Sequence, residues 1–440
     1  MPSYPEKLEI VPLTRPPSAT VHLPGSKSIT NRALVLGALS EPNKGTELRG
    51  ALRSEDTEVM VEALRTLGFR VQTDWAAATI HIRRGPHASP IPEKEASLFL
   101  ANSGTSMRFL TAMVSTGQGP YQLDGVTRMR ERPIADLLDA LQQLGVNARS
   151  ANGDGNPPVV VEGQGSLFSD RPSRPISGRV RIKGDMSSQF LSGLLMAAPL
   201  ARESITVEVN GKLVSPSYVA MTVRMMNDFG VEVLTDWLTY FEVPVHAWYQ
   251  GRVYDIEPDA SSASYFFAAA AITQGEVWVS RLGCHSMQGD LAFVKALDEM
   301  GCREHRWDKY TYVRGWPLHG INADMNDISD TVMTLAAVAC FAEGPTTIRN
   351  VAHIRHKETD RLAALATELR RVGAGVDEFA DGLTITPRPL HGAEIETYND
   401  HRMAMSMALI GLKVPGLVIK NPGCVAKTYP GFFADLERLR

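Results

Sequence analysis

The chain has 440 residues, enough for two or three domains with ample core. Charged residues make up 21% and hydrophobic residues 44%, as in an ordinary globular protein, and a net charge of −4 argues against a general nucleic-acid or membrane-surface binder. The four cysteines, Cys284, Cys302, Cys340 and Cys424, are scattered without a C-x-x-C pair, which suggests neither a zinc site nor a disulfide framework and fits a reducing cytoplasm. No apolar run is long enough to span a membrane, and residues 1–17 lack the apolar core of a signal peptide.

Strand-like pieces at 8–13 and 19–23 lead into 23–39, LPGSKSITNRALVLGAL, which reads as a turn running into a helix. Ser26 and Ser28 are candidate caps. Lys27 sits at the helix mouth, and Ser28 and Arg32, four apart, share one face. A helix N-terminus already favours anions, so these residues suit a phosphate or carboxylate. The plainer reading is a capped helix with solvated basic residues. The stretch is not a Walker A loop, because its upstream glycine is missing.

The pattern recurs. A short polar turn followed by an Ala/Met/Leu-rich helix returns at 102–108 (NSGTSMR), 184–189 (GDMSSQ), 259–264 (DASSAS), 327–331 (DISDT) and 399–402 (NDHR), at spacings of about 70 to 85 residues. That period suits a small α/β unit. Helices close on an apolar–Gly–apolar step at Gly68, Gly145, Gly230, Gly301 and Gly373, where glycine supplies the left-handed residue. The sixth closing glycine is absent, and the chain ends in a helix at 432–439. The first strands are therefore expected to complete the last unit and bring the termini together.

Between the turns, Arg128, Arg130 and Arg132 alternate and would point to one side of an extended segment, an anion site rather than a solvated basic loop. Residues 150–175 are loop-rich, and 237–248 reads as an exposed hairpin. Ser215 and Tyr218 open another helix. Asp327 suits a simple cap, whereas Asp330 falls where the repeat places polar site residues. Lys357 and Arg361 share a face, and Glu358 pairs with Arg361 at i,i+3, the alternative being a surface ladder. His401 beside Arg402 at a helix mouth is a candidate acid/base group. A chain of net charge −4 thus gathers Lys27, Arg32, Arg108, Arg132, Lys357, Arg361, Arg402 and Lys427 beside helix mouths, a set suited to small polyanions.

These residues fall in nine motifs, in order from 25 to 430: GSKSITNR, NSGTSMR, RERP, DMSSQ, VSPSY, SD-TVMT, KETDR, NDHRMAM and AKTYP. Over essentially its whole length the chain closely resembles the 5-enolpyruvylshikimate-3-phosphate synthase family of enolpyruvyl transferases. The resemblance implies an α/β protein of two similar domains, each of three βαβαββ units, an inside-out α/β barrel with a pseudo-six-fold repeat. It implies one domain of 1–24 plus 258–440, a second of 25–257, and an active site in the cleft between them that closes over its ligands. The implied reaction joins phosphoenolpyruvate to shikimate 3-phosphate and releases phosphate, with no cofactor and no metal, in a cytoplasmic monomer that engages neither nucleic acid nor membrane.

By the same resemblance, Lys27, Ser28, Arg32, Ser187, Ser188, Gln189, Ser215, Tyr218, Asp330, His353 and Lys357 bind shikimate 3-phosphate. Lys27, Gly104, Arg132, Gln189, Arg361, Arg402 and Lys427 bind phosphoenolpyruvate. Asp330 is the base toward the 5-hydroxyl; Lys27, Glu358 and His401 are candidates for proton transfer at C3. The chain departs from the family's usual pattern in carrying His353 for an asparagine, Phe109 for a proline, and NSGTSMR for NAGTAMR. Retained Gly104 implies competition by glyphosate. Similar to the same fold are UDP-N-acetylglucosamine enolpyruvyl transferase, which typically has Asn where Ser28 stands and a reactive loop cysteine, and RNA 3′-phosphate cyclase. A non-catalytic relative would be expected to lose Asp330, Glu358 or Lys427.

Overall fold

The alternation of short apolar strands with Ala/Leu/Met-rich helices sets six small sheets around buried helices. The computed structural model describes residues 2–42, 44–85, 89–164, 178–201, 203–244 and 248–440. The loop expected at 150–175 is described only to residue 164, and the hairpin expected at 237–248 only in part.

The chain divides into two units, one of Met1–Pro24 with Glu257–Arg440, the other of Gly25–Ile256. Five of the sheets share one scheme of four strands: a parallel pair, then an antiparallel neighbour, then a hairpin partner. The strand Ala96–Phe99 shows it well. The chain crosses over through the helix Gly104–Val114 to the parallel strand Gln118–Asp124, and returns through the helix Ala135–Gln143 to the hairpin Asn147–Ser150 and Val159–Gln164. A crossover of this kind needs a helix on the sheet face, which fixes where each helix begins.

In the unit Gly25–Ile256, the helices Lys27–Ala38, Gly104–Val114 and Ser188–Ala197 are buried almost all round. In the other unit the helices Ala260–Thr273, Val332–Ala339 and His401–Gly411 pack on one another and form the centre of its core. Their small side chains permit that approach. The all-round apolar character of the sequence stretches is the signature of such burial. The helices expected around 191–200 and 265–272 are both of this buried kind.

The N-terminal strands go to two sheets rather than one. Lys7–Ile10 pairs antiparallel with Leu417–Lys420 and completes the sixth, three-stranded sheet. Ser18–Val21 instead runs parallel to Glu276–Ser280. In the other unit, Val253–Asp255 takes the equivalent place beside Gly45–Arg49. The two ends of the chain are pinned near each other: the Arg440 guanidinium donates to the carbonyls of Val11 and Pro12, and the Tyr4 hydroxyl donates to Pro430 O at 2.6 Å. The five closing glycines all adopt positive φ, between 81° and 110°.

Among the described residues no helix is long and apolar enough to cross a membrane.

Candidate functional site

Within Gly25–Ile256 the polar residues gather at helix starts. Ser26 caps the helix Lys27–Ala38, accepting from Ile29 N, so of the two serines expected to cap, Ser28 lies inside the first turn. The Lys27 ammonium lies 3.4 Å from Asp56 Oδ2, in the first turn of the helix Glu55–Thr66. Arg32 is buried. Its guanidinium donates to Thr222 Oγ1 at 2.7 Å, to the carbonyls of Ser28 and Tyr218 at 3.1 and 3.0 Å, and to Ser192 Oγ at 3.4 Å. Its Cζ also lies 5.1 Å from the Phe109 ring centroid, so that ring forms an aromatic surface for the cation. None of these partners carries a charge, and burial pulls the guanidinium down to about 10.

The second helix start, capped by Ser103, is crossed by two arginines. A Cβ added to Gly104 would meet Arg132 Nη2 at 2.5 Å and Arg108 Nη1 at 2.9 Å, so any larger residue must push the ends of these arginines aside. Arg132 donates to Asn102 O, and Arg108 to the carbonyls of Gly104 and Pro133. Gln189, from the helix capped by Ser187, reaches Thr105 Oγ1 at 3.2 Å. Ser188 is buried. Ser215, also buried, takes a left-handed conformation (φ 49°) before the helix Pro216–Asp228, whose first turn holds Tyr218.

The expectation that Arg128, Arg130 and Arg132 project together is corrected. Residues Met129–Glu131 form a turn of 3-10 helix, not an extended strand. Arg130 turns away to Asp124 (2.6 Å) and Arg128 to Glu131 (2.8 Å), leaving Arg132 as the buried one.

In the unit of Glu257–Arg440 the charges interlock. Arg361, first residue of the helix Arg361–Arg371, is 1% exposed. Its guanidinium binds Asp400 at 2.8 Å, Glu358 at 2.8 Å and Asp330 at 3.4 Å. Burial pulls it down, but Asp400, Glu358 and Asp330 outweigh burial and hold it above the ordinary arginine range. Arg402 binds the other oxygen of Asp330 at 2.7 Å and donates to the Tyr265 hydroxyl at 3.4 Å. Lys357 lies 3.6 Å from Asp330, and Lys427 lies 3.9 Å from Glu358. Each of the two carboxylates singled out from sequence is therefore held between cations.

Asp400 was not among the residues singled out. It is fully buried, caps the helix His401–Gly411 by accepting from Arg402 N at 2.8 Å, and binds Arg361. Its position before a His-Arg pair at a helix start was the available signal. Asp56 and Tyr265 were missed as well. His401 is 1% exposed, with Nδ1 3.7 Å from Asp400. His353 is buried in the turn Ala352–His356; desolvation and then the Lys357 charge push its imidazole down to about 3, so it is neutral near pH 7. The N-cap position of the 3-10 turn Ser329–Thr331, which carries Asp330, is Ile328 rather than Asp327, and the helix Val332–Ala339 follows that turn.

Each unit thus offers donors for anions, and one of them adds two carboxylates positioned by cations. A family model described as EPSP synthase (3-phosphoshikimate 1-carboxyvinyltransferase) matches residues 14–436. The 3-phosphoshikimate 1-carboxyvinyltransferase of Nostoc punctiforme is 49% identical over 429 residues, covering 97% of this chain and 98% of its own. That of Shewanella amazonensis is 45% identical over 440 residues, covering 99% of both. A solved structure of EPSP synthase from Acinetobacter baumannii superposes with a TM-score of 0.79 at 25% identity, over 98% of both chains.

Proposed function

The chain belongs to the EPSP synthase family, and from that premise we infer that it transfers the enolpyruvyl group of phosphoenolpyruvate to the 5-hydroxyl of shikimate 3-phosphate, releasing phosphate. The observation that carries this reading to the residues is the pair Asp330 and Glu358, each fixed by site cations.

The reaction asks for three things. Two anionic substrates must be held. The acceptor hydroxyl must lose a proton as it adds to C2 of the enol ether, while C3 gains one. Phosphate must then leave the tetrahedral intermediate, and C3 must give its proton up again. In this reading Ser28, Arg32, Ser187, Ser188, Ser215, Tyr218, His353 and Lys357 hold the shikimate ring and its phosphate. Gly104, Arg132, Arg361, Arg402 and Lys427 hold phosphoenolpyruvate, and Lys27 and Gln189 contact both. Asp330 takes the hydroxyl proton. Glu358 carries the proton at C3, with Lys27 and then His401 as the further candidates. The arginines and lysines stabilise the charge of the departing phosphate. His353 serves as a neutral hydrogen-bonding group, because burial keeps it uncharged.

The same reading takes the protein as a cytoplasmic monomer that needs neither cofactor nor metal for this reaction; gel filtration of the purified chain tests the monomer.

The deciding experiment measures phosphate released from phosphoenolpyruvate with shikimate 3-phosphate in one tube and UDP-N-acetylglucosamine in another. Release in the first tube alone is expected. Release in the second would transfer the chain to the sugar-nucleotide transferases.

A further inference from the structure

The cysteine spacing in the sequence gives no sign of a metal site, but the fold brings a third donor to the exposed Cys284 and His285. Asp308 lies in the turn between the strands Arg303–Arg306 and Tyr310–Arg314, and its Oδ1 is 3.7 Å from Cys284 Sγ and 3.5 Å from His285 Nε2. All three ligand atoms fall within 4.8 Å of one another. Around a tetrahedral zinc ion, with bonds of about 2.3 Å to sulfur and about 2.0–2.1 Å to nitrogen and oxygen, neighbouring ligand atoms stand about 3.4–3.6 Å apart. The two measured edges match that figure to within about 0.1 Å.

The backbone holds the two loops in register. Cys284 N donates to Trp307 O at 2.9 Å, and Thr311 Oγ1 donates to Leu282 O at 2.8 Å. Ser286 N donates to Gly283 O, closing the turn that carries Cys284. Gly283 packs so closely that an added Cβ would lie 2.1 Å from Asp308 O.

We propose that Cys284, His285 and Asp308 form a surface site for a divalent metal ion of borderline softness, zinc foremost, with a fourth position open to water. The sulfur and imidazole donors select against magnesium and calcium, which take oxygen. Binding replaces the proton of the Cys284 thiol by the metal ion and releases that proton to solvent. The site is independent of the enolpyruvyl reaction, and its test does not read activity.

Cys284 is the one exposed cysteine of the four. Cys302, Cys340 and Cys424 are buried, and burial also pushes the Cys302 and Cys340 thiols up, so rapid alkylation of the folded full-length chain reports on Cys284. One equivalent of zinc should slow alkylation by iodoacetamide about tenfold or more, while magnesium leaves the rate unchanged. Cobalt should give a thiolate-to-metal charge-transfer band in the near ultraviolet that Cys284→Ser abolishes. In a His285→Ala, Asp308→Asn double variant zinc should no longer protect. Unslowed alkylation in the native chain would overturn the proposal, and so would equal protection in the double variant, which would mean a bare thiol binding metal adventitiously.

Discussion

The two units cap their inner helices with different chemistry. In Gly25–Ile256 the caps are Ser26, Ser103 and Ser187. In the other unit Asp259 and Asp400 cap Ala260–Thr273 and His401–Gly411, Val332–Ala339 follows Thr331 without a side-chain cap bond, and Asp360 caps the neighbouring helix Arg361–Arg371. A serine satisfies backbone N–H groups and leaves the positive end of the helix uncompensated. An aspartate satisfies them and also cancels that charge. The arginines follow suit: Arg32 is held by hydroxyls and carbonyls and falls to about 10, whereas Arg361 is held by three carboxylates and rises. One unit therefore keeps positive potential available for an incoming dianion. The other sets Arg361, Arg402 and Lys427 against carboxylates, which suits the proton transfer proposed for Asp330 and Glu358.

The comparison breaks first at Asp330. If that carboxylate takes the hydroxyl proton, Asp330→Asn should lower kcat by about 10²- to 10⁴-fold, with a smaller change in the Michaelis constants. Steady-state kinetics measure this, and an unchanged kcat would move the base elsewhere.

Arg361→Gln comes next. It strands Asp400, Glu358 and Asp330 without their shared cation, and removing one partner of a buried ion pair costs about 3–5 kcal/mol. Urea unfolding should show the loss, concentrated in the unit of Glu257–Arg440. Arg32→Met should cost less, about 1–2 kcal/mol, because it leaves hydroxyls and carbonyls rather than charges unpaired; its larger effect should be a raised Michaelis constant for shikimate 3-phosphate. Equal destabilisation by the two variants would erase the distinction drawn between the units. Gly104→Ala should displace the ends of Arg132 and Arg108, raising the Michaelis constant for phosphoenolpyruvate about tenfold with little effect on the acceptor.

The last effect is a pH dependence. His353 sits at about 3 in the folded chain, against about 6.5 unfolded. Between those values the unfolded chain holds a proton that the folded chain refuses. Stability is therefore full above pH 6.5 and falls as pH drops, by at most about 1.4 kcal/mol per unit. His353→Asn should flatten that slope between pH 6.5 and 5, read from urea midpoints.

What the sequence made legible was local. Each closing glycine, each turn–helix start and the i,i+3 pair of Glu358 with Arg361 depend on neighbours within a few residues. What escaped depends on distant partners. Asp400 meets Arg361 across 39 residues, Arg402 meets Tyr265 across 137, and Ser18–Val21 finds its strand near residue 276. The alternating arginines misled because an alternating charge pattern suits an extended strand only where the backbone is extended. Here the backbone turns, and Asp124 and Glu131 draw two of the three away.

The division of the chain sets an order on its synthesis. Residues 25–256 contain every strand of their own unit's sheets, including Val253–Asp255, so that unit can close once the ribosome has delivered an uninterrupted segment. The first 24 residues have no such prospect. Lys7–Ile10 waits for Leu417–Lys420, and Ser18–Val21 for Glu276–Ser280. Their strand edges stay unpaired until those later residues have been made. Residues 7–10 and 18–21 are thus made before residues 25–256 and placed after them.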